Sequence, residues 1–546
     1  MTRTEALRSV LTHVIELHPL DAVAALEHDF TASKDPYLLS LLSFALCFGQ
    51  RFEQAAEAAA RAVAAANDAE TTVFAKVATA WAASTWLAEY EGDPLQEASD
   101  DIAGLTGADP NSRAFILYWL AEAALGSARL DLAARVVERT GDLPSAFLND
   151  DQGRPHPYLA MMQIMRARLL AFQGRVTDAL AVTEDITAVP GTPGELLVAA
   201  TQCLLVGNNA ERQSARAIAD RLEIELGEPS DYISAGCYIL VSYGLVAMGD
   251  IARAAQFVLR AGHTAGLEGL NIIDRALGLE MLVAAAVAQN DLDAAQAWQA
   301  QAASLLSHPI ARPTIERLNS RIALLAGDAA SAAEWAELAV EHATVDGRAM
   351  EVAEGEIVLS RARVALSERG VANSRLEAMA ARAAASGHPA AQKSAARELR
   401  LIGRRLRPTA GTGWSGLSAR ERDVALLVAE GFGNQEIARD LHLSEHTVQA
   451  HVSRVLAAFG AASRVSVATQ LTGMLPVDPL AQPPAELTPR QQTVAAHIAL
   501  GKTNDSIAVD LGVSVKTVEK HVSEIRQRWQ VASRIGIARL ALASNE

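Results

Sequence analysis

Residues 417–471 and 486–543 can be laid over each other, and each reads as four short helices with the same punctuation. In the first stretch, Ser418-Ala419-Arg420-Glu421 is a capping box, in which hydroxyl and carboxylate reciprocally satisfy free amides at a helix start. In the second, Thr488-Pro489-Arg490-Gln491 does the same, with proline at the first helical position, where its missing N–H costs nothing. The first helix then runs on Val424, Leu427 and Val428, or on Val494, Ile498 and Leu500, and stops at Gly431 or Gly501. A short second helix carries Ile437-Ala438 or Ile507-Ala508, the alanine allowing close approach to its neighbour. After Leu441-His442-Leu443, or Leu511-Gly512-Val513, Ser444 and Ser514 stand where a third helix needs an N-cap. In that helix Val448, Val452, Leu456 and Phe459, or Val518, Val522, Ile525 and Trp529, share one apolar stripe. The opposite face is polar from the helix N-terminus onward.

Two helices so arranged are the helix-turn-helix, whose second member enters the major groove with its N-terminal residues toward base edges. Both stretches resemble the LuxR/FixJ/NarL-type domain. The first does so in Leu417-Ser418-Ala419-Arg420-Glu421-Arg422, in Glu430 to Ala438, in Leu443 to His451 and in Ser463-Arg464. The second does so in Leu487 to Arg490, Gly501 to Asn504, Val513 to His521 and Ser533-Arg534. The resemblance implies that Asn434, Thr447, Arg464, Asn504, Thr517 and Arg534 position DNA phosphates. It gives base readout to Gln449, Ala450, Ser453, Glu519, Lys520 and Ser523, with Ser444, Ser514 and Lys516 beside them. His451 and His521 complete the set in a DNA-facing or packing role, since no triad or metal partner accompanies them. Where the family usually has lysine after the Thr-Val pair, this chain has Gln449 and Glu519. Glutamine can still pair with adenine and glutamate can accept from the cytosine amino group. The usual lysine–glutamate pair of the second helix is Gln435-Glu436 in one stretch and Asp505-Ser506 in the other.

Upstream, residues 1–390 read as helices separated by short breaks, each followed by alanine-rich sequence. The pattern is clearest at Gly174, Gly249, Gln289-Asn290 and Gly327, with weaker versions at Gly49, Gly92, Gly126 and Gly207. Each interval has room for two helices, and stacked two-helix units bury a core that no single unit could. This part resembles the tetratricopeptide-type α-solenoid found upstream of the DNA-binding domain in large LuxR-type regulators, including the maltose regulator. An extended concave face implies an unidentified peptide, protein or small-molecule effector as partner. Trp81, Trp86, Trp119, Trp298 and Trp335 are expected in the core rather than lining that groove.

Composition agrees with an all-α chain: hydrophobic residues make up 50% but aromatic ones only 5%, so the apolar side chains are mostly small and suit close helix packing. The expected order is an α-solenoid (1–390), a basic helix and linker (391–416), a first helix-turn-helix domain (417–471), a proline-rich linker (472–485) and a second domain (486–546). The net charge of −16 is unevenly spread, because residues 393–546 hold 19 basic against 14 acidic residues. The mildly basic end is the expected nucleic-acid end. Lys393, Arg397, Arg400, Arg404, Arg405 and Arg407 face one acid, Glu398, which reads either as a solvated face or as a phosphate contact. The linker with Pro476, Pro479, Pro483 and Pro484 reads as extended, long enough to let both domains bind one duplex about a turn apart.

Cys47, Cys203 and Cys237 are scattered, with no metal or disulfide spacing, and read as buried hydrophobes. No phosphate-binding loop, receiver domain, signal peptide or membrane span is legible, so the expectation is a cytoplasmic protein that is not an enzyme and needs no cofactor. Double-stranded DNA is the expected partner, and RNA polymerase a further candidate. The alternative is a helical-repeat interaction scaffold whose helix-turn-helix pair has become a protein-binding or dimerisation surface, a reading motivated by the acidic replacements.

Overall fold

The computed structural model describes residues 33–85, 93–140, 157–184, 193–262, 266–406, 413–471 except 418 and 462, and 485–543 except 532 and 533, with isolated positions 3, 6, 7, 24, 186 and 188. Trp86, Gly92, Arg407, the Ser418 capping box, Ser533 and linker residues 472–484 lie outside the described residues. The described secondary structure is helical, and the chain divides into two compact units, Met1–Arg405 and Leu406–Glu546.

The first unit is built of helix pairs: α1 (Pro36–Phe48) with α2 (Phe52–Ala65), α3 (Ala69–Thr85) with α4 (Pro94–Asp100), α5 (Pro110–Gly126) with α6 (Leu130–Thr140) and α7 (Pro157–Phe172) with α8 (Val176–Glu184). The series continues as α9 (Pro193–Asn208) with α10 (Arg212–Glu225), α11 (Tyr232–Ala247) with α12 (Ile251–Gly262), α13 (Ile272–Ala288) with α14 (Leu292–Ala302) and α15 (Arg312–Leu325) with α16 (Ala329–Val345). Last come α17 (Ala349–Ala365) with α18 (Arg369–Ser386), and α19 (Pro389–Leu401).

One turn recurs inside these pairs. A left-handed residue closes the first helix at Gln50, Ala128, Gly174, Ala210, Gly249, Asn290, Gly327 and Ser367. The amide that follows reaches back five residues to a helix carbonyl, as from Arg175 to Leu170 and from Asp250 to Leu245. This is the Schellman closure, which satisfies carbonyls left open at a helix end. The strong sequence breaks at Gly174, Gly249, Asn290 and Gly327 are the left-handed residues themselves. The weaker ones at Gly126 and Gly207 are something else: sites of close packing. A Cβ on Gly207 would sit 2.4 Å from the Gly244 carbonyl oxygen, so α9 and α11 cross backbone against backbone.

The first helix of every pair packs on the first helix of the next, forming an inner layer. The layer also coils onto itself, since α1 meets α11, α3 meets α13, α7 meets α17 and α9 meets α19. The inner face is therefore partly filled by its own helices rather than presented as the open concave groove expected from the repeats. Near one end it is filled with apolar rings: Trp81 and Trp119 are buried, with centroids 4.8 Å apart, beside Phe44, Phe48 and Phe115. Trp298 and Trp335 are only half-buried.

Further along, the inner face is charged. Arg317 on α15 is fully buried and donates to Glu280 on α13 at 3.0 and 2.7 Å and to Glu351 on α17 at 2.7 Å. Glu354 lies 3.4 Å from the same guanidinium, and burial pushes its carboxyl up to about 7. On α5 and α7, Arg168 binds Glu122 at 2.7 Å. The three cysteines are buried, and burial raises their thiols well above the ordinary range. No helix of the described residues is long and apolar enough to cross a membrane.

Candidate nucleic-acid interface

The second unit holds two four-helix domains. The first comprises α20 (Ala419–Glu430), α21 (Asn434–Asp440), α22 (Glu445–Ala458) and α23 (Arg464–Leu471). The second comprises α24 (Pro489–Ala499), α25 (Asn504–Leu511), α26 (Val515–Arg528) and α27 (Arg534–Ala543). The capping box at Thr488 and Gln491 forms as expected. Gly431 and Gly501 stop the first helices with φ of +99° and +76°.

The third helices start where their sequence says they should. Ser444 accepts from the Thr447 amide at 3.1 Å, and Ser514 from the Thr517 amide at 3.1 Å. Both hydroxyl pairs also bond, at 2.7 and 2.8 Å, which fixes the first turn of each helix. On the inward stripe Val448, Val455, Val518 and Ile525 are fully buried; Leu456 and Val522, expected beside them, are half-buried. Leu500 departs further. It was expected on the apolar stripe of the first helix, but that helix ends at Ala499 and Leu500 is 73% exposed.

The outward face of α22 carries Gln449, Ala450 and Ser453, and that of α26 carries Lys516, Glu519, Lys520 and Ser523, all exposed. His451 and His521 do not share it. They are half-buried, His451 3.9 Å from Glu421 on α20 and 3.2 Å from Arg454, His521 3.6 Å from Glu524. Of the two roles left open for them, the geometry favours packing.

Arg464 and Arg534 return from the fourth helices to the start of the second. Arg464 donates to the Asn434 side chain at 3.0 Å, and Arg534 to Asn504 and to the Lys502 carbonyl. Desolvation lowers both guanidinium pKa values, and neither has a carboxylate partner among the described residues. The four side chains thus meet in pairs at the N-terminal ends of α21 and α25. Two further arginines have a structural role that the motifs alone do not reveal. Arg420 and Arg490 reach from the first helices to the Leu441 and Leu511 carbonyls, anchoring the turn before each third helix. Their signal was recurrence at one position of both stretches.

The domains are not independent beads on a linker. Their apolar residues form one cluster, with α23 against α27, α23 against α24, and α27 against α20. Exchanging the two domains maps this set of contacts onto itself, as in an isologous two-fold interface. Ser463, Ser466 and Thr469 add hydroxyl donors to the Gly501 and Ala499 carbonyls at 3.1–3.2 Å. Two capped helices, each with one apolar and one polar face, held in exchange-symmetric contact, form a duplicated helix-turn-helix.

Residues 415–471 and 485–541 each match the family described as bacterial regulatory proteins, luxR family. The chain carries two luxR-family domains. Among curated proteins, an HTH-type transcriptional regulator of Mycobacterium bovis is 48% identical over 65 residues, 12% of this chain and 7% of the relative. The uncharacterized transcriptional regulatory protein YhcZ of Bacillus subtilis is 40% identical over 68 residues, 12% of this chain and 32% of the relative. The luxR-family resemblance thus rests on single-domain lengths, a small part of the relatives' chains. Among solved structures, the Cut9–Hcn1 hetero-tetramer of the APC/C has a chain matching 73% of this one, with 91% of its own length covered, at 12% identity and a TM-score of 0.23.

Proposed function

We propose that this luxR-type chain is a sequence-specific DNA-binding transcription regulator, in which the two helix-turn-helix domains act as one reader and the helical-repeat unit receives an effector or partner. The observation that carries this reading is the duplicated third helix, N-capped by serine, buried on one face and polar and exposed on the other. On α22, Gln449, Ala450 and Ser453 meet base edges, Gln449 having the geometry for adenine. On α26, Glu519, Lys520 and Ser523 do so, Glu519 accepting from a cytosine amino group.

Phosphate positioning falls to the Arg464–Asn434 and Arg534–Asn504 pairs and to Ser444, Thr447, Ser514, Lys516 and Thr517. The arginines suit it because they are held by amide and carbonyl oxygens and keep their charge unneutralised. Exchange symmetry favours two half-sites in inverted orientation, and the different side chains on α22 and α26 make those half-sites unequal. Neither domain is strongly basic, with five basic and six acidic residues in 417–471 and eight and six in 486–546. Useful affinity therefore requires both.

Mobility shift of the full chain on DNA selected from a random pool tests the reading. Binding should weaken as salt rises, and K520E or R464E should each weaken it roughly tenfold. Binding that is undetectable at low salt, or indifferent to salt and to both reversals, contradicts it.

A further inference from the structure

Two cavities adjoin inside the first unit. The outer one, about 250 Å³, lies at the α9–α10 and α11–α12 turns against α19, and is lined by Arg212, Lys393, Ser394, Arg397 and Arg400. No carboxylate lines it. Four like charges around one concavity repel one another, so their placement asks for an anion.

The nearby acids do not supply it. Glu398 is buried and takes both of its strong bonds from Arg361, at 3.0 and 2.6 Å, while Arg397 stands off at 3.9 Å. Asp250 faces Arg216 at 3.9 Å, and Glu211 accepts from Asn209 and Ser214. Among the described residues Arg212 and Arg400 have no carboxylate partner.

The inner cavity, about 290 Å³, shares Ala247, Ala390, Ser394 and Arg397 with the outer one. Leu277, Met281, Met350 and Met379 supply apolar wall, and Asn208 and His388, bonded at 3.1 Å, a polar edge. Glu280 and Glu354, which face Arg321 and Arg317, and Arg361, which binds Glu398, also line this space. Together the two spaces fall within the usual range of small-molecule pockets, about 300–1,000 Å³.

We infer that this two-part cavity binds a phosphorylated small molecule, with its phosphate groups among Arg212, Lys393, Arg397 and Arg400 and its less polar body against the methionines of the inner space. Guanidinium forks and an ammonium, with the Ser394 hydroxyl, match the acceptor geometry of phosphate oxygens. The Lys393–Arg400 cluster, which sequence alone left open between a solvated face and a DNA contact, is thereby reassigned to the helical-repeat unit. The inference deepens the effector half of the function proposed above and rests on it only for any consequence for DNA; the binding step itself does not require DNA.

Calorimetric titration of the full chain with inorganic pyrophosphate, and separately with adenosine triphosphate, tests it. Both probes should bind with submillimolar Kd. R212A/R400A should lose at least roughly tenfold, whereas R212K/R400K, which keeps the charge but not the forked donors, should lose less than the alanine pair. Selected DNA should bind R212A/R400A as it binds the unaltered chain. Absence of binding by both probes, or equal binding by R212A/R400A, overturns the proposal. So does unchanged probe binding with lost DNA binding, which makes the cluster a DNA contact. A chain that binds pyrophosphate but no DNA upholds the cavity and removes the regulator reading.

Discussion

His442 and Gln530 hold left-handed backbone, with φ of +53° and +54°, whereas the corresponding places in the other domain are Gly512 and Gly460, at +62° and +57°. At these two matched turns each domain thus uses glycine once and a bulkier residue once. A left-handed non-glycine residue costs roughly 1–2 kcal/mol, and glycine returns part of that as unfolded-chain entropy. H442G and Q530G should each stabilise the second unit by about 0.5–1 kcal/mol in urea unfolding, and G512A should destabilise it by about as much. Gly501 is tighter still. It combines a φ of +76° with a position where a Cβ would meet Ser466 Oγ at 2.4 Å, across the contact between domains. G501A should cost roughly 1–3 kcal/mol, and G501A/S466A should cost less than G501A alone. At this scale the sequence was legible wherever a side chain acts on its own neighbourhood, as Ser444, Ser514 and Thr488 do when they cap helices. It was silent where the partner is distant in sequence, as for Arg420 with the Leu441 carbonyl and Arg464 with Asn434.

The helix-pair pattern was legible because four of its turns place Gly or Asn in the left-handed position, where those residue types are enriched. The Ser367 turn escaped because a serine in that conformation leaves no compositional mark. Nor did any local signal announce that inner helices ten apart would touch, because such contacts follow from the summed rotation of successive pairs. Packing of successive inner helices, by contrast, puts Glu354 of α17 beside Arg317 of α15, where burial raises its pKa to about 7 from an ordinary 4.5 and the coulombic field of Arg317 opposes the rise. An acid whose pKa rises on folding stabilises the native state below its unfolded value and loses that contribution as pH passes its folded value. Stability of the first unit should therefore decline between pH 4.5 and 7 through this group. E354Q should flatten that decline when urea unfolding is followed across the same range.

Across the whole molecule, the division of labour follows from charge and packing together. Residues 393–546 carry the excess of basic residues in an otherwise acidic chain, yet part of that excess, at Lys393, Arg397 and Arg400, lines a cavity of the first unit. The duplication of the helix-turn-helix was plain in the sequence, but the direct packing of the two copies was not. The proline-rich segment between them suggested a tether, and their contact is made by small and apolar residues of α23 and α27 that read as ordinary core. If the two copies form one reader, then one chain occupies one site, and the spacing of its half-sites is set by the interface rather than by the tether. Selection of random duplexes with the full chain, followed by measurement of binding stoichiometry on the enriched sequence, tests this most directly. The expected result is an inverted pair of unequal half-sites bound by a single chain; a symmetric site that requires two chains, or a single half-site bound as tightly as the pair, would show that the copies do not act as one reader.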